Sequence, residues 1–242
     1  MLKIIIKKII KILKTPFILV DYFRFKKLEK EERFKNSISD FYPCVMDKTI
    51  KTGFDRHYVY HTAWAARKVV EIKPEFHTDI SSSLYFSGIV SAFVPVKFYD
   101  YRPADLELSN FSSNEADLLK LPFETGSIKS LSCMHVVEHV GLGRYGEKLD
   151  YEGDLKAINE LKRVLSPGGN LFFVVPVGAK AKIEFNAHRI YTPEMVKDYF
   201  SDLELREFFL IPEKSGGGMV NPEKEVWLKE DYACGCFWFT KK

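Results

Sequence analysis

Residues 135–139, which read HVVEH, place two imidazoles and a carboxylate within five positions. The preceding run, SIKSLSCM, is apolar and β-branched, so the motif is predicted at the end of a strand. We expect Glu138 and His139 to face a substrate there, with His139 accepting a proton from a hydroxyl or amine. The alternative is that His139 only caps the strand end through its ring nitrogens.

The same five residues match H-x-x-E-H, the order found in some zinc peptidases. That chemistry needs both histidines on one helical face, whereas in a strand His135 and His139 lie about 13 Å apart. Cys234 and Cys236 lie in a strand-like run, and Cys44 and Cys133 are far from them in sequence. The sequence therefore predicts reduced, buried thiols and no metal site.

A second polar segment, NAHRIY at 186–191, follows an apolar run ending in PVG. His188 is a second candidate base with Tyr191 beside it, and Asn186 and Arg189 are candidate substrate contacts, the arginine suiting a phosphate or carboxylate. The alternative is that these side chains only hold the loop in place.

The segment GLGRYG at 141–146 spells the dinucleotide fingerprint G-x-G-x-x-G. It follows a late strand and runs into a polar loop, which is the wrong context for that fingerprint. We interpret it as a flexible loop that presents Arg144 and Tyr145 to a substrate.

The elements that would position these residues alternate between strand and helix. The apolar spacing predicts helices at 61–72, 154–165 and 192–200, with Asp154 and Thr192 as N-caps. Strands are predicted at 76–80, 96–101, 127–137, 171–177, 203–211 and 234–240. This order predicts an α/β fold: a Rossmann-like, mostly parallel twisted sheet with helices on both faces.

Ligands of such sheets bind outside the carboxyl ends of the strands, near the point where strand order reverses. The residues expected there are Asp79–Ser83, Asp100–Arg102, Asp117 and Met134–His139. Asp100 ends the second strand, where one carboxylate suits both hydroxyls of a ribose.

Two runs, NEADLLKLPFETGSIKSLSCMHVVEHV and INELKRVLSPGGNLFFVVPV, resemble the second half of class I S-adenosylmethionine-dependent methyltransferases. The shared features, in order, are an acid before LPF, a strand ending near Glu-His, an E-L-x-R-V-L-x-P-G-G helix and turn, and a strand ending in Pro. The match covers about residues 65–210. More narrowly, HYVYHTAWAARKV, HTDIS, HVVEHVGLGRYG, FNAHRIY and YACGC resemble an uncharacterised methyltransferase-like family found among bacterial surface-polysaccharide genes.

The resemblance implies that S-adenosylmethionine is the cofactor. It assigns binding to six residues: Asp79, Ser81, Ser83, Asp100, Asp117 and Met134. The loop after the first strand departs from the family, because Ser81, Ser83 and Tyr85 stand where glycines are expected. Either this loop takes another path and still binds the cofactor, or the chain is a cofactor-independent sugar-modifying enzyme or a non-catalytic scaffold on a degenerate fold.

Residues 1–35 carry eleven Lys/Arg against four acids, a net +7, so the rest of the chain carries −4 of the total +3. We divide the chain into this basic head (1–35) and a methyltransferase-like domain (36–242). On a helix, Lys3, Lys7, Lys11 and Lys14 oppose a face of Ile and Leu. We expect residues 2–17 to lie on an anionic membrane surface or to pack on the domain, and not to span a bilayer.

The acceptor implied by the resemblance is a saccharide or sugar-linked small molecule in surface glycan biosynthesis, its acidic group bound by Arg144 and Arg189. We expect a cytoplasmic protein, with the head at the inner membrane face. An acidic body without a basic-aromatic pattern argues against a nucleic-acid partner.

Overall fold

The computed structural model describes residues 2–31, 33–214 and 216–242, apart from the side chains of residues 2–5, 7 and 8. The chain separates into two compact units, Met1–Phe54 and Asp55–Lys242. The boundary between the units follows Phe54, whereas the expected boundary follows residue 35.

The first unit contains helix α1 (Leu2–Lys26) and a 3₁₀ turn (Ile38–Asp40) capped by Ser37. The Tyr22 ring packs edge-on to Phe41, with 5.7 Å between centroids. Ile9, Ile12 and Leu13 of α1 are at least half exposed. The side chains of Lys3, Lys7 and Lys8, part of the predicted basic face, lie outside the described residues, whereas Lys11 and Lys14 are exposed.

The second unit is built on an eight-stranded sheet in the order β3-β2-β1-β4-β5-β10-β8-β9. The first five strands in this order run parallel, and β10, β8 and β9 add antiparallel pairs. The strands are β1 (His77–Ile80), β2 (Val96–Asp100), β3 (Phe111–Glu115), β4 (Ile128–Met134), β5 (Leu165–Val177), β8 (Leu203–Pro212), β9 (Met219–Val220) and β10 (Ala233–Lys241). A separate hairpin pairs β6 (Lys182–Glu184) with β7 (His188–Ile190).

The helices are α2 (Arg56–Ile72), α3 (Leu84–Val90), α4 (Gly153–Val164), α5 (Pro193–Tyr199) and α6 (Lys224–Trp227). Residues of these helices pack into two separate hydrophobic cores. Trp64 and Val69 of α2 pack with Phe86 of α3 in one core, while Leu161 of α4 and Val196 of α5 belong to the other. The predicted Rossmann-like sheet between helical layers is confirmed. In the described part of the chain, no helix is both long enough and apolar enough to cross a membrane.

Of the two predicted N-caps, one is observed and one is not. Thr192 caps α5 as predicted, since its hydroxyl accepts from Met195 N at 3.2 Å. The expected cap of α4, Asp154, instead lies inside the helix, whose N-cap is Glu152. The Asp154 side chain is buried, and it accepts a hydrogen bond from Tyr191.

A chain of buried polar side chains joins the two central strands. His77 of β1 contacts Ser130 and Ser132 of β4 through its two ring nitrogens, at 2.7 and 2.9 Å. Ser132 and Ser87 both donate to the carboxylate of Asp79. Burial raises the pKa of Asp79 to about 6, although the serine hydroxyls oppose the shift.

We predict that Asp79→Asn alters the pH dependence of stability. The folded pKa of Asp79 lies above its unfolded value of 3.8, so its contribution to stability is complete below pH 4 and is lost as the pH rises through 6. The change corresponds to roughly 3 kcal/mol. The free energy of unfolding of the variant, minus that of the wild type, should therefore rise by about 2 kcal/mol between pH 4 and pH 6.5 in urea titrations.

Taking this difference removes the contribution of His77, which titrates in both proteins. Asp105→Asn, which changes an exposed loop carboxylate, is the control and should not reproduce this rise. A constant difference for Asp79→Asn as well would contradict the prediction.

Candidate functional site

A cavity of about 480 Å³ opens at the carboxyl edge of β1, β2 and β4, on the side where the strand order reverses. Its walls come from the ends of these strands, the loops after them and the loop after β3. They comprise Ser81, Asp100–Arg102, Ala116–Leu119, His135, Val136, His139–Gly141, Tyr145, Glu147, Lys148 and Asp150. Its volume lies in the range of small-molecule sites, which span roughly 300–1,000 Å³.

Two carboxylates stand on one side of this cavity. Asp100 ends β2, and its Oδ1 accepts from Arg102 N at 2.8 Å. Asp117 follows β3 in an equivalent turn, in which its Oδ1 accepts from Leu119 N at 2.8 Å. In both residues the backbone turn fixes the direction of the carboxylate and leaves acceptor capacity for a ligand.

Ser81 lines the cavity with the backbone conformation expected of a glycine. Its φ is +55°, in the left-handed region, and its N–H donates to Tyr99 O at 2.8 Å. The loop thus keeps the backbone conformation that a glycine would adopt, although Ser81 adds a Cβ there. Ser83 has an ordinary φ of −62° as the N-cap of α3.

Asp79 and Met134, both expected to contact a cofactor, are buried and do not line the cavity. The Asp79 carboxylate accepts hydrogen bonds from the hydroxyls of Ser87 and Ser132. The N–H of Met134 donates to Ser82 Oγ at 3.0 Å. The expectation for these two side chains is corrected: they support the strand ends from beneath, because both point into the interior.

His139 and Tyr145 line the cavity together. His139 Nδ1 lies 2.7 Å from Ala187 O and donates to it, which leaves Nε2 as the proton acceptor of the neutral ring. Burial lowers the pKa of His139, so this ring is neutral at pH 7. Arg144 does not line the cavity, but its guanidinium carbon lies 5.2 Å from the centre of the Tyr145 ring.

Glu138 does not face a substrate, contrary to expectation. Its side chain is only 1% exposed, and Oε1 lies 2.9 Å from His135 Nδ1 and 3.8 Å from His139 Nε2. The carboxylate therefore orients His135. This turn follows β4, which ends at Met134, and residues 137–139 form a 3₁₀ turn.

The 186–191 segment mainly holds loops together. Arg189 is buried, and its guanidinium donates to the carbonyls of Val140, Tyr151 and Asp150. Tyr191 is 2% exposed and donates to Asp154 at 2.9 Å. The structure therefore gives Arg189 and Tyr191 structural contacts in place of the expected substrate and catalytic ones.

Asn186 and His188 differ from these two. Asn186 is exposed, and His188 is half-buried, with its ring centroid 6.4 Å from that of His139. The candidate second base thus lies beside the first one.

A histidine-cysteine cluster adjoins the cavity, and it was not predicted from the sequence. His57 of α2, His135 after β4 and Cys234 of β10 place their side-chain N and S atoms within 4.8 Å of one another. Burial lowers the pKa of His57 to about 4. Burial also acts to lower the pKa of His135, but Cys234 and Glu138 outweigh it and raise the value to about 10.

Two signals in the sequence pointed to this cluster. His57 and His61 are four residues apart on one helix, and Cys234 and Cys236 alternate on one strand. Neither pair alone predicts that α2 and β10 meet at the end of β4.

A family model described as "Caenorhabditis protein of unknown function, DUF268" matches residues 109–209. No curated protein matches the chain.

Solved structures with a similar fold include a putative sarcosine dimethylglycine methyltransferase from Galdieria sulphuraria (13% identity, TM-score 0.53, 75% of this chain and 85% of that one). Another is the 1,6-didemethyltoxoflavin-N1-methyltransferase of Burkholderia thailandensis with bound S-adenosylhomocysteine (9%, 0.51, 75% and 78%). A third is the [4+2]-cyclase SpnF (14%, 0.51, 74% and 79%). The chain has the Rossmann-like fold of class I S-adenosylmethionine-dependent methyltransferases.

We predict that Tyr191→Phe lowers stability without changing ligand binding at the cavity. The change removes a buried hydrogen bond to a carboxylate, which costs about 1.5–3 kcal/mol, while the cavity walls stay intact. Urea unfolding measures the first effect and calorimetric titration the second.

Tyr145→Phe is the matched control, because this tyrosine is half exposed and the change should leave stability within about 0.5 kcal/mol. A Tyr191→Phe variant of wild-type stability would contradict the structural role.

Proposed function

We propose that this protein is an S-adenosylmethionine-dependent methyltransferase acting on a saccharide or sugar-linked acceptor. One observation carries the proposal: the cavity at the strand-order reversal has a carboxylate at the end of β2 and a second one after β3. The fold supports it, because its neighbours include methyltransferases, one of them with bound S-adenosylhomocysteine.

The residues present fit this cofactor. Asp100 would accept from the ribose hydroxyls, Asp117 from the adenine amino group, and the Ser81 turn would lie against the methionine part. Ser83, at the start of α3, borders the same turn. The space for the cofactor would be tightest at Ser81, because its Cβ projects from a left-handed turn where a glycine would have no side chain.

When bound, S-adenosylmethionine supplies an electrophilic methyl group. The protein's part is to hold the acceptor oxygen in line with that group and to receive the acceptor's proton. His139 Nε2 suits the second task, because Nδ1 is committed to Ala187 O and the ring is neutral.

The acceptor would carry an anionic group. Arg102 and Arg144 flank the exposed Tyr145 ring, with guanidinium carbons 5.0 and 5.2 Å from its centroid. Two cations held against this ring suit an acceptor that bears a carboxylate or phosphate.

The cofactor proposal is tested by calorimetric titration of the full chain with S-adenosylmethionine and S-adenosylhomocysteine. We expect binding of both, and Asp100→Asn should weaken it roughly 10- to 150-fold, the equivalent of 1.5–3 kcal/mol. Asp105→Asn should bind as the wild type does. Folded wild-type protein that binds neither ligand would refute the proposal and favour the cofactor-independent alternative.

A second pair of variants isolates the serine turn. Ser81→Gly removes both a Cβ and about 1 kcal/mol of left-handed backbone strain, so it should tighten cofactor binding. Ser83→Gly is the control at an ordinary φ. Equal Kd values for the two variants would show that the Ser81 backbone does not limit the cavity.

We further propose that α1 lies on anionic membrane. The exposed Ile9, Ile12 and Leu13 support this, together with the exposed Lys11 and Lys14.

In sedimentation with phosphatidylserine vesicles, Lys11→Gln/Lys14→Gln should lower the partition coefficient about 30-fold, because each lysine contributes about 1 kcal/mol. Lys48→Gln/Lys51→Gln, at exposed lysines outside the helix, should not change it. Binding that is indifferent to salt or lipid charge would contradict the proposal.

A further inference from the structure

The histidine-cysteine cluster has the donor set of a metal centre. His57, His135 and Cys234 come from three different elements, and His135 Nε2 lies 3.4 Å from Cys234 Sγ. Imidazole nitrogen and thiolate sulfur are the ligands that zinc prefers. Zinc bonds of 2.0–2.3 Å place tetrahedral ligand atoms about 3.5 Å apart, so the observed limit of 4.8 Å needs a contraction of about 1.3 Å at most.

The surroundings of His135 match those of a metal-bound histidine. Glu138 Oε1 contacts Nδ1 at 2.9 Å, which turns Nε2 toward the sulfur. A carboxylate that holds the distal nitrogen of a ligating histidine is the usual outer partner at zinc sites. The second Glu138 oxygen, Oε2, is buried and makes no hydrogen bond to any residue that the structure describes.

Burial and charge also point to a cation. The side chains of His57 and His135 are 8% and 7% exposed, and Cys234 is buried. A divalent ion bound here would be balanced by one thiolate and the Glu138 carboxylate, so the buried site would carry no net charge. The rings of Tyr232 and Tyr58 stack on His57 and His135, at 5.2 and 5.6 Å, and restrict their motion.

We propose that His57, His135 and Cys234 bind one zinc ion beside the cavity. Within the described residues, no fourth His, Cys, Asp or Glu lies within 4.8 Å of all three donor atoms; Glu213 Oε2 contacts His57 Nε2 at 3.1 Å. A fourth position is therefore left for water or an acceptor group, as in catalytic zinc sites. His135 belongs to both the cluster and the cavity wall. The site differs from the peptidase pattern of 135–139, since His139 is not one of the three residues. It requires no cofactor to form, so it stands or falls separately from methyl transfer.

The test uses the full chain, stripped of metal with a chelator and titrated with Zn²⁺ alone or with Co²⁺ as a spectroscopic probe. We expect one ion per chain and, with Co²⁺, a thiolate-to-metal charge-transfer band together with the intense visible bands of tetrahedral coordination. Cys234→Ser should abolish the charge-transfer band. His57→Gln and His135→Gln should each weaken Zn²⁺ binding by roughly 100-fold or more, exceeding the loss from an outer partner.

Two nearby residues give matched controls. Cys236→Ser changes a buried thiol whose sulfur lies 3.8 Å from that of Cys234, and His61→Gln changes a buried histidine one turn along α2. Both variants should keep the stoichiometry and the charge-transfer band. Glu138→Gln should keep the band and bind Zn²⁺ about 10- to 100-fold more weakly, which a purely structural carboxylate would not do.

Circular dichroism shows which variants are folded, and the histidine variants decide the question if Cys234→Ser is not. Absence of 1:1 binding to the wild type would overturn the proposal. So would wild-type affinity in folded His57→Gln and His135→Gln, which would place the ion elsewhere on the chain.

Discussion

The pairing of β1 with β4 is the interaction on which the rest of the structure depends. These parallel strands are held both by backbone bonds and by the buried chain from His77 through Ser132 to Asp79. Because β2 lies on one side of this pair and β5 on the other, the loops that follow β1 and β4 diverge at the carboxyl edge, and the cavity lies between them. Asp79 contributes by anchoring Ser87 of α3 to the same strands.

Strand-end reasoning predicted the part of the site that depends on local sequence. Asp100 and Ser81 line the cavity because each lies at the end of a predicted strand, so its place along the chain fixes its place at the sheet edge. Asp117 lines it as well, but it follows the polar stretch SSNEA. Asp79 and Met134 were assigned by the same reasoning, but all four residues of β1 are buried. Without alternating polarity, a sequence does not show which face such a side chain takes.

The parts of the site that the sequence did not predict depend on contacts between distant segments of the chain. Arg189 and Tyr191 have the chemistry of substrate ligands, yet their partners are carbonyls of another loop and Asp154 of α4. The antiparallel strands and the hairpin of β6 and β7 were likewise not predicted as such. The same limit hid the cluster of His57, His135 and Cys234, whose members come from a helix, a turn and the last strand.

The direction of β10 has a consequence for when the sheet and the histidine-cysteine cluster form during synthesis. Because β10 runs antiparallel to β5, its first residues lie against the carboxyl end of that strand: Cys234 is opposite Pro176. A parallel strand in this place would have delivered its last residues there. Cys234 lies far later in the sequence than His57 and His135, so it leaves the ribosome after them. It reaches them only when β10 inserts between β5 and β8. A nascent or truncated chain that lacks β10 has an incomplete sheet and an incomplete donor set at once, so the three-residue cluster marks a fully inserted final strand.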